Sequence, residues 1–284
     1  MPNWAAFASV AVVVCGFLLF LAHATSSTVT TSDPALPTAE ELDAHAREQF
    51  AEHEGLYEEW VAEQGDGWAT ERQDQWLAEN APDQARHELS TGLLLANVAL
   101  TQGLFLAILV GAAVLANVPP AALGLAGIHF GPVPLVAGIG LGIALYAANQ
   151  VGSSVSARFG IETGEELRAL LAPDTPKGWV VLLVGVLPLV AVFEEFMFRA
   201  VLVGALAVGF GVSPWLLAVV SSLAFAVGHG VQGPAGVAIT GTLGFVLAAA
   251  FILTGSLLAV VVAHYLVNAL EFVVHEGLGV EWGY

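Results

Sequence analysis

The sequence carries little charge, and this scarcity excludes an ordinary soluble enzyme. Only 11% of its 284 residues are charged, whereas a soluble domain has about 25%. Lys177 is the single lysine and Cys15 the single cysteine. One cysteine excludes a disulfide within the chain and a cysteine-rich zinc ribbon. The shortage of basic residues also argues against nucleic acid and anionic lipid headgroups as partners, because both bind to basic surfaces.

Apolar residues take the place of the missing charge. They make up 57% of the chain, and the mean hydropathy is +0.77. Backbone groups inside a bilayer must be hydrogen-bonded within helices or a closed barrel, and the apolar runs lack the alternation of barrel strands. We therefore predict an all-α, polytopic transmembrane helical bundle surrounded by the lipid bilayer, with about seven spans. The predicted spans cover residues 4–22, 91–115, 132–150, 179–208, 214–229, 234–253 and 256–275.

The first apolar run is predicted to stay in the protein as a transmembrane helix over 1–24. Ala22-His23-Ala24 has the small-x-small form of a signal cleavage site. The residues before the run, however, lack the basic region of a secretory signal, and about 19 apolar residues exceed the usual length of its hydrophobic region.

The distribution of arginine and lysine predicts the orientation. All basic residues except Arg199 lie within 25–90 or 151–178. Two predicted spans separate these segments, so both lie on one side of the membrane, and the positive-inside rule identifies that side as the cytoplasm. We therefore expect a multi-pass protein of the cell membrane with its N-terminus outside and its C-terminal tail, 276–284, inside.

A strongly acidic segment separates the first two spans. Residues 31–90 hold 16 of the 25 acidic residues, and apolar residues recur at helical spacing from Leu42 to Val61. The prediction is a small, cytoplasmic, helical insert over 25–90 without a catalytic constellation. An acidic surface repels itself at low ionic strength, but molar salt shortens the Debye length to ~3 Å. We interpret it as halophilic adaptation to a high-salt interior, with an acidic docking surface as the alternative.

Three predicted spans within 179–275 contain polar side chains that are costly in hydrocarbon. They follow a segment, 91–178, of two spans and a cytoplasmic loop. An ionisable group at the centre of a span costs about 2.5–3.5 kcal/mol on insertion scales, so its default role is functional. The three motifs are Glu194-Glu195-x-x-x-Arg199, Phe225-x-x-x-His229 and His264-x-x-x-Asn268.

Helical spacing predicts different surroundings for these residues. Glu195 and Arg199 are four residues apart and can form an ion pair along one helix. Glu194 points about 100° away from Glu195 and is left free. His264 and Asn268 are also four residues apart and face one direction. A carboxylate, two imidazoles and an amide on three helices can therefore meet at one point, where they supply a general base, nitrogen ligands and an oxyanion donor.

The three motifs, in this order on successive membrane helices, resemble the CPBP family of intramembrane proteases. This family is also known as the CAAX-protease and bacteriocin-processing or Abi family, and it includes the Rce1-type prenyl endopeptidases. The resemblance covers about 179–275 and implies that this segment is the catalytic core. No motif of the family covers residues 1–150, and the acidic insert departs from the family pattern.

The resemblance implies endoproteolysis within or beside the membrane. Glu194 would activate a water molecule. His229 and His264 would bind a divalent metal or orient that water, and Asn268 would stabilise the tetrahedral oxyanion. The substrate would be a membrane-associated peptide or protein: a prenylated CAAX peptide, a bacteriocin-like leader or a membrane-anchored regulator.

A metal cofactor is one form of this mechanism. Two histidines and a glutamate match the ligands of catalytic zinc sites, so zinc held by Glu194, His229 and His264 is the expected cofactor. The protease helix signature His-Glu-x-x-His is absent from the sequence. A metal-free mechanism, with Glu194 as the base and the histidines as hydrogen-bond donors, is the alternative.

Structural roles are open for the same residues. In the implied protease, Glu195 and Arg199 belong to the catalytic set because they hold the helix and shape the site, but they can equally form a purely structural buried pair. His229 can lie at the membrane interface. His264 and Asn268 can join helices by hydrogen bonds, as polar residues do in many membrane bundles.

The remaining patterns are interpreted as structural. His275 is one of several unpatterned histidines, which we place at the interface or the surface. The glycines of the apolar runs are interpreted as positions of close helix packing, because no Lys-Ser/Thr follows them as in a phosphate loop. They are Gly138, Gly140, Gly142, Gly241 and Gly244.

Two other classes of function compete with the protease. A polytopic transporter or proton-coupled carrier would use Glu194, His229 and His264 as a relay. It predicts a repeated architecture with matching broken helices in two halves, and Pro188 has no counterpart. A catalytically silent family member would act as a scaffold or immunity factor.

Overall fold

Helices form the described part of the chain. The computed structural model describes residues 1–31, 91–127, 130–158 and 165–280. Met1–Thr28 and Ser90–Tyr284 belong to one compact unit. No strand occurs in the described ranges, which confirms the prediction of an all-α polytopic bundle. The acidic insert predicted over 25–90 lies outside the described residues beyond Thr31.

The helices, numbered in chain order, are α1 (Trp4–Thr31), α2 (Thr91–Leu115), α3 (Pro132–Arg158), α4 (Glu165–Leu171), α5 (Pro176–Phe210), α6 (Pro214–Gly228), α7 (Gly233–Thr254) and α8 (Leu257–Glu271). Within the described residues, six helices are long and apolar enough to cross a membrane, namely α1, α2, α3, α5, α7 and α8. The fifth predicted span is the shorter helix α6. Helix α1 passes its predicted end at 24, and neither proline nor glycine occurs in the chain between Ala24 and Thr31.

Aromatic and aliphatic residues from α1, α2, α5 and α7 form the core. Phe7 of α1, Leu109 of α2 and Leu247 of α7 are buried in one cluster. The rings of Phe105 in α2 and Phe193 in α5 are in contact, with 6.1 Å between their centroids. The first span is therefore part of the helical core.

Helix α5 contains the first motif and includes two π-helical segments, in which the helix is wider than an α-helix. The segments Val181–Val186 and Phe196–Ala205 have the π-helical pattern, in which an N–H donates to the carbonyl five residues back. The first segment precedes Pro188, which has no N–H to donate and whose ring crowds the preceding turn. The second begins directly after Glu195 and contains Arg199. Wide turns of this kind often occur at functional sites.

Glycines let α3 approach α8 closely. A Cβ atom at Gly138 would lie 2.6 Å from the carbonyl oxygen of Ala259, and one at Gly142 would lie 2.9 Å from that of Ala263. A Cβ atom at Gly140 would meet no atom within 4 Å. Close packing is thus confirmed for Gly138 and Gly142 but is wrong for Gly140, which points to the other side of α3. Helix α3 is the most extensive contact of α8 and helps to set its orientation.

Helix α6 is too short to cross the hydrocarbon. Its 15 residues rise about 22 Å, against a hydrocarbon thickness of about 30 Å. His229 follows its last residue, and the turn Gly230–Gln232 leads into α7. The two helices pack closely, because a Cβ at Gly241 would lie 3.1 Å from Cβ of Ala226. Non-helical backbone is tolerated inside the membrane where it lines a cavity. The turn after α6 lines such a cavity.

Candidate active site

Four of the predicted site residues line one cavity of about 360 Å³. Glu194 comes from α5, His229 from the end of α6, and His264 and Asn268 from α8. The three motifs therefore meet in the structure. Much of the remaining wall is apolar and is formed by α2 and α5, through Leu95, Val98, Leu182, Val186, Leu187 and Val190.

Glu194 and Glu195 have different surroundings, as their helical positions predict. Glu194 lines the cavity, whereas Glu195 is fully buried at 0% exposure and does not line it. Oε2 of Glu194 lies 3.6 Å from Nε2 of His264. This separation is long for a direct hydrogen bond, but one water molecule can bond to both atoms.

A single carboxylate oxygen of Glu195 contacts two other predicted site residues, Arg199 and His264. Its Oε1 accepts a hydrogen bond of 2.8 Å from Nη1 of Arg199 and lies 2.7 Å from Nδ1 of His264. Because an ionised carboxylate can only accept, Nδ1 of His264 is the donor of this bond. Nε2 of His264 is then directed at Glu194 and the cavity. The ion pair predicted along α5 is present, and it also orients an imidazole on α8.

Arg199 is buried at 1% exposure and does not line the cavity. Its Nη2 donates to the carbonyl oxygen of Gly244 at 3.0 Å, and its guanidinium carbon lies 4.6 Å from the centroid of the Phe225 ring. A Cβ at Gly244 would lie 3.0 Å from Cδ1 of Phe225, so glycine lets α7 come within reach of the guanidinium. The Glu195–Arg199 pair therefore touches residues of the cavity at two points, through the bond of Glu195 to His264 and through the contact of Arg199 with Phe225.

Phe225 contacts both histidines. The centroid of its ring lies 4.5 Å from that of His229 and 6.0 Å from that of His264. Nδ1 of His229 is 2.8 Å from the carbonyl oxygen of Phe225. Because a carbonyl oxygen can only accept, Nδ1 is the donor, and Nε2 of a neutral His229 is an acceptor. This bond fixes the ring of His229 at the end of α6, beside the cavity.

The arrangement does not meet the requirements of a three-ligand metal site. In the described ranges, no three His, Cys, Asp or Glu side chains are placed so that they could hold one ion. Nε2 of His264 stays directed at the cavity, but catalytic zinc needs several ligands that converge to about 2.0–2.2 Å from one point. Zinc held by Glu194, His229 and His264 stays a prediction from the motifs, and no step proposed below depends on it.

One face of α8 and its continuation carries a longer polar stripe than the third motif predicts. His264, Asn268, Glu271 and His275 follow one another at spacings of four, three and four residues, which is the spacing of one helix face, and all four line the cavity. His275, predicted to lie at the interface or the surface, is part-buried, and its Nε2 lies 3.1 Å from Oε1 of Gln150. The spacing is the sequence signal that identifies both missed residues.

Glu271 is the centre of a polar network at the end of α8. Its Oε1 accepts hydrogen bonds from Nδ2 of Asn149 at 2.6 Å and from Nε2 of Gln150 at 2.7 Å, both on α3. Its Oε2 lies 3.2 Å from Nη1 of Arg168, whose Nε donates to Glu276 at 2.7 Å. The network ties α3 and α4 to the end of α8 and holds this end of the cavity together.

Replacing Glu271 with alanine is expected to lower the free energy of unfolding by about 2–3 kcal/mol, because it leaves two amides without their acceptor and removes one partner of Arg168. The matched control is Glu276→Ala, which removes a single partner from the rim of the network and should cost less than about 1 kcal/mol. Unfolding of the purified protein in detergent measures both variants. Equal losses would show that Glu271 is not the centre of the network.

The fold and the cavity define the class of protein. The chain is a multi-pass membrane bundle that holds a carboxylate, two imidazoles and an amide in one cavity, a set of groups suited to acid–base chemistry on a membrane-associated substrate.

The segment that carries this set is similar to a known family. Residues 176–270 match the family model described as type II CAAX prenyl endopeptidase Rce1-like. The match begins at the start of α5, ends one residue before the end of α8 and includes all three motifs, which confirms the resemblance to CPBP and Rce1-like proteins. It supports a membrane protease kind of function. No curated protein and no solved structure matches the chain significantly.

Proposed function

We propose that the protein is an intramembrane endopeptidase in which Glu194 activates a water molecule for attack on a peptide bond. One observation carries this proposal: Glu194 and Nε2 of His264 face each other across 3.6 Å in a cavity, while Glu195 holds the other nitrogen of His264. A general base beside an oriented imidazole is the arrangement that hydrolysis requires. The family match favours this class over the transporter.

The bond changes follow from the positions of these groups. A water molecule bonded to Glu194 and His264 transfers a proton to Glu194 as its oxygen attacks the substrate carbonyl carbon. The carbonyl electrons move to oxygen and form an oxyanion, to which the side-chain amide of Asn268 in the same cavity can donate. When the intermediate collapses, the C–N bond breaks and the leaving nitrogen takes the proton from Glu194. Nε2 of His229 provides a further acceptor for the water or for a substrate N–H.

The substrate class follows from the apolar wall. The residues of α2 and α5 that line the cavity offer a surface for an apolar or lipid-modified segment next to the polar groups. A prenylated peptide of CAAX type is the first candidate, in agreement with the description of the matched family. In the predicted orientation, the end of the cavity that contains Glu271 and His275 is directed toward the cytoplasm.

Comparison of membrane peptides from cells that express the wild-type protein or Glu194→Ala tests this function. Mass spectrometry is expected to detect a set of truncated membrane-associated peptides or proteins with the wild type that is absent with the variant, at equal amounts of the two proteins in the membrane. The common cleavage site would identify the substrate as a CAAX peptide, a leader or a regulator. Identical peptide sets would argue for the scaffold or immunity alternative.

A further inference from the structure

Gln102 is a polar side chain on α2 that none of the three motifs includes. It lines the same cavity as Glu194, and its Oε1 is buried without a hydrogen-bond partner among the described residues. Buried polar atoms in native proteins are nearly always paired, and polar residues in membrane spans usually have a function. The orphaned acceptor therefore needs an explanation.

The contacts of α2 place Gln102 close to the level of the candidate active site. The Gly103 backbone lies against the side chain of Leu189, and Phe105 contacts Phe193, so α2 and α5 run side by side in the same direction. Gln102 is thus level with the part of α5 that precedes Glu194, about 6–9 Å away along the helix axis.

Asn268 has a matching position on α8. It follows His264 by one helical turn, and α8 runs opposite to α5, because His264 contacts Glu195 while the later residue Gly277 lies against Trp179. Two side-chain amides, one on α2 and one on α8, therefore line the cavity about one to two turns from the Glu194–His264 pair, both toward the end that contains Glu271.

We propose that Gln102 is a substrate-positioning residue whose side-chain amide hydrogen-bonds to the peptide backbone beside the scissile bond. This inference rests on the proposed protease function. A side-chain amide carries one acceptor and two donors, so it complements a peptide group whatever the substrate sequence. An extended peptide advances about 3.3 Å per residue, so a distance of about 6–9 Å places the bonded peptide group about two to three residues from the cleaved bond.

Because Oε1 of Gln102 is unpaired, the proposal predicts an unusual effect of substitution on stability. Replacing Gln102 by methionine keeps a similar length and removes a buried acceptor that has no partner in the described structure. The variant should be as stable as the wild type or more stable. The matched control is Gln150→Met, in which the replaced glutamine bonds to Glu271 and His275; this variant should have a lower melting temperature. Of these two variants, only Gln102→Met should therefore lose activity without losing stability.

Enzyme kinetics with modified peptides test the hydrogen bond itself. The probe is a quenched fluorescent prenylated CAAX peptide in liposomes, together with analogues in which one backbone amide at a time is replaced by an ester, which lacks the N–H. Full-length Gln102→Met is expected to show kcat/KM reduced about tenfold, the effect of one hydrogen bond. For one ester analogue, kcat/KM of the wild type should be about tenfold lower than for the all-amide peptide. With Gln102→Met the same ester should cause no additional decrease in kcat/KM, because the two changes remove the same hydrogen bond.

Three results would overturn the role of Gln102: unchanged kcat/KM in Gln102→Met, a fall in its melting temperature like that of Gln150→Met, or ester penalties that are the same in both enzymes at every position. Failure of the proposed function is a separate outcome, since it would appear as cleavage by the wild type that Glu194→Gln does not reduce. Cleavage that depends on Glu194 but not on Gln102 would leave the protease assignment in place.

Discussion

Glu194→Gln is expected to lower the rate of peptide cleavage by about 10²–10⁴-fold, the usual effect of losing a general base. Glutamine keeps the shape of the side chain. In the described structure, the ion-pair contact of Glu194 is the 3.6 Å distance to His264, which is long for a hydrogen bond. Folding and membrane insertion should therefore be unchanged. The measurement is turnover of the quenched peptide by purified protein, with the melting temperature determined on the same sample.

The control for this variant is Glu276→Gln, a glutamate on the continuation of α8 that does not line the cavity. It should retain the wild-type rate. Undiminished turnover by Glu194→Gln would remove the base from the mechanism and, with it, the protease assignment as argued from this cavity. A loss shared by both variants would show a general effect of neutralising a glutamate.

Arg199→Met is expected to destabilise the protein by about 3–5 kcal/mol. It leaves the carboxylate of Glu195 buried with its positive partner removed, and an uncompensated buried charge has a cost of this size. Combining it with Glu195→Gln removes both charges while the side-chain volumes stay similar, so the double variant should recover most of the lost stability. Abundance in membranes and unfolding in detergent measure the three variants.

The double variant also separates the structural role of this pair from its effect on the reaction. Glu195→Gln weakens the bond to Nδ1 of His264, so we expect the double variant to fold but to cleave more slowly than the wild type. A double variant that is less stable than the worse single variant would show that the two residues do not stabilise each other. Full activity in a stable double variant would mean that orientation of His264 by Glu195 is dispensable.

Relations within a single helix could be predicted from the sequence. The i,i+4 spacing of Glu195 and Arg199 predicts their ion pair, and the 100° step to Glu194 predicts that this carboxylate faces elsewhere; both features are present. These predictions succeed because helix geometry alone determines which side chains of one helix share a face. The all-α architecture was predictable for a similar reason, since the bilayer leaves the backbone few alternatives.

Relations between helices could not be predicted in this way. The bond from Glu195 to His264 depends on the rotation of α8 against α5, and sequence spacing within either helix carries no information about it. The orphaned acceptor of Gln102 is equally invisible, because a lone glutamine in an apolar run shows neither its partner nor its lack of one. The sequence also did not predict the π-helical segments of α5. A shift of the backbone hydrogen bonds by one residue produces no simple pattern in the amino-acid sequence.

Because α3 packs closely against α8, the segment that matches the family model is not structurally independent of the helices before it. Residues 176–270 contain every motif residue, yet α8, which carries His264 and Asn268, packs most extensively against a helix that precedes this segment. Gly138 and Gly142 allow that approach, and larger residues there would displace α8 and the cavity-lining residues that it carries. A chimera that combines these motifs with another set of spans must therefore bring α3 with them.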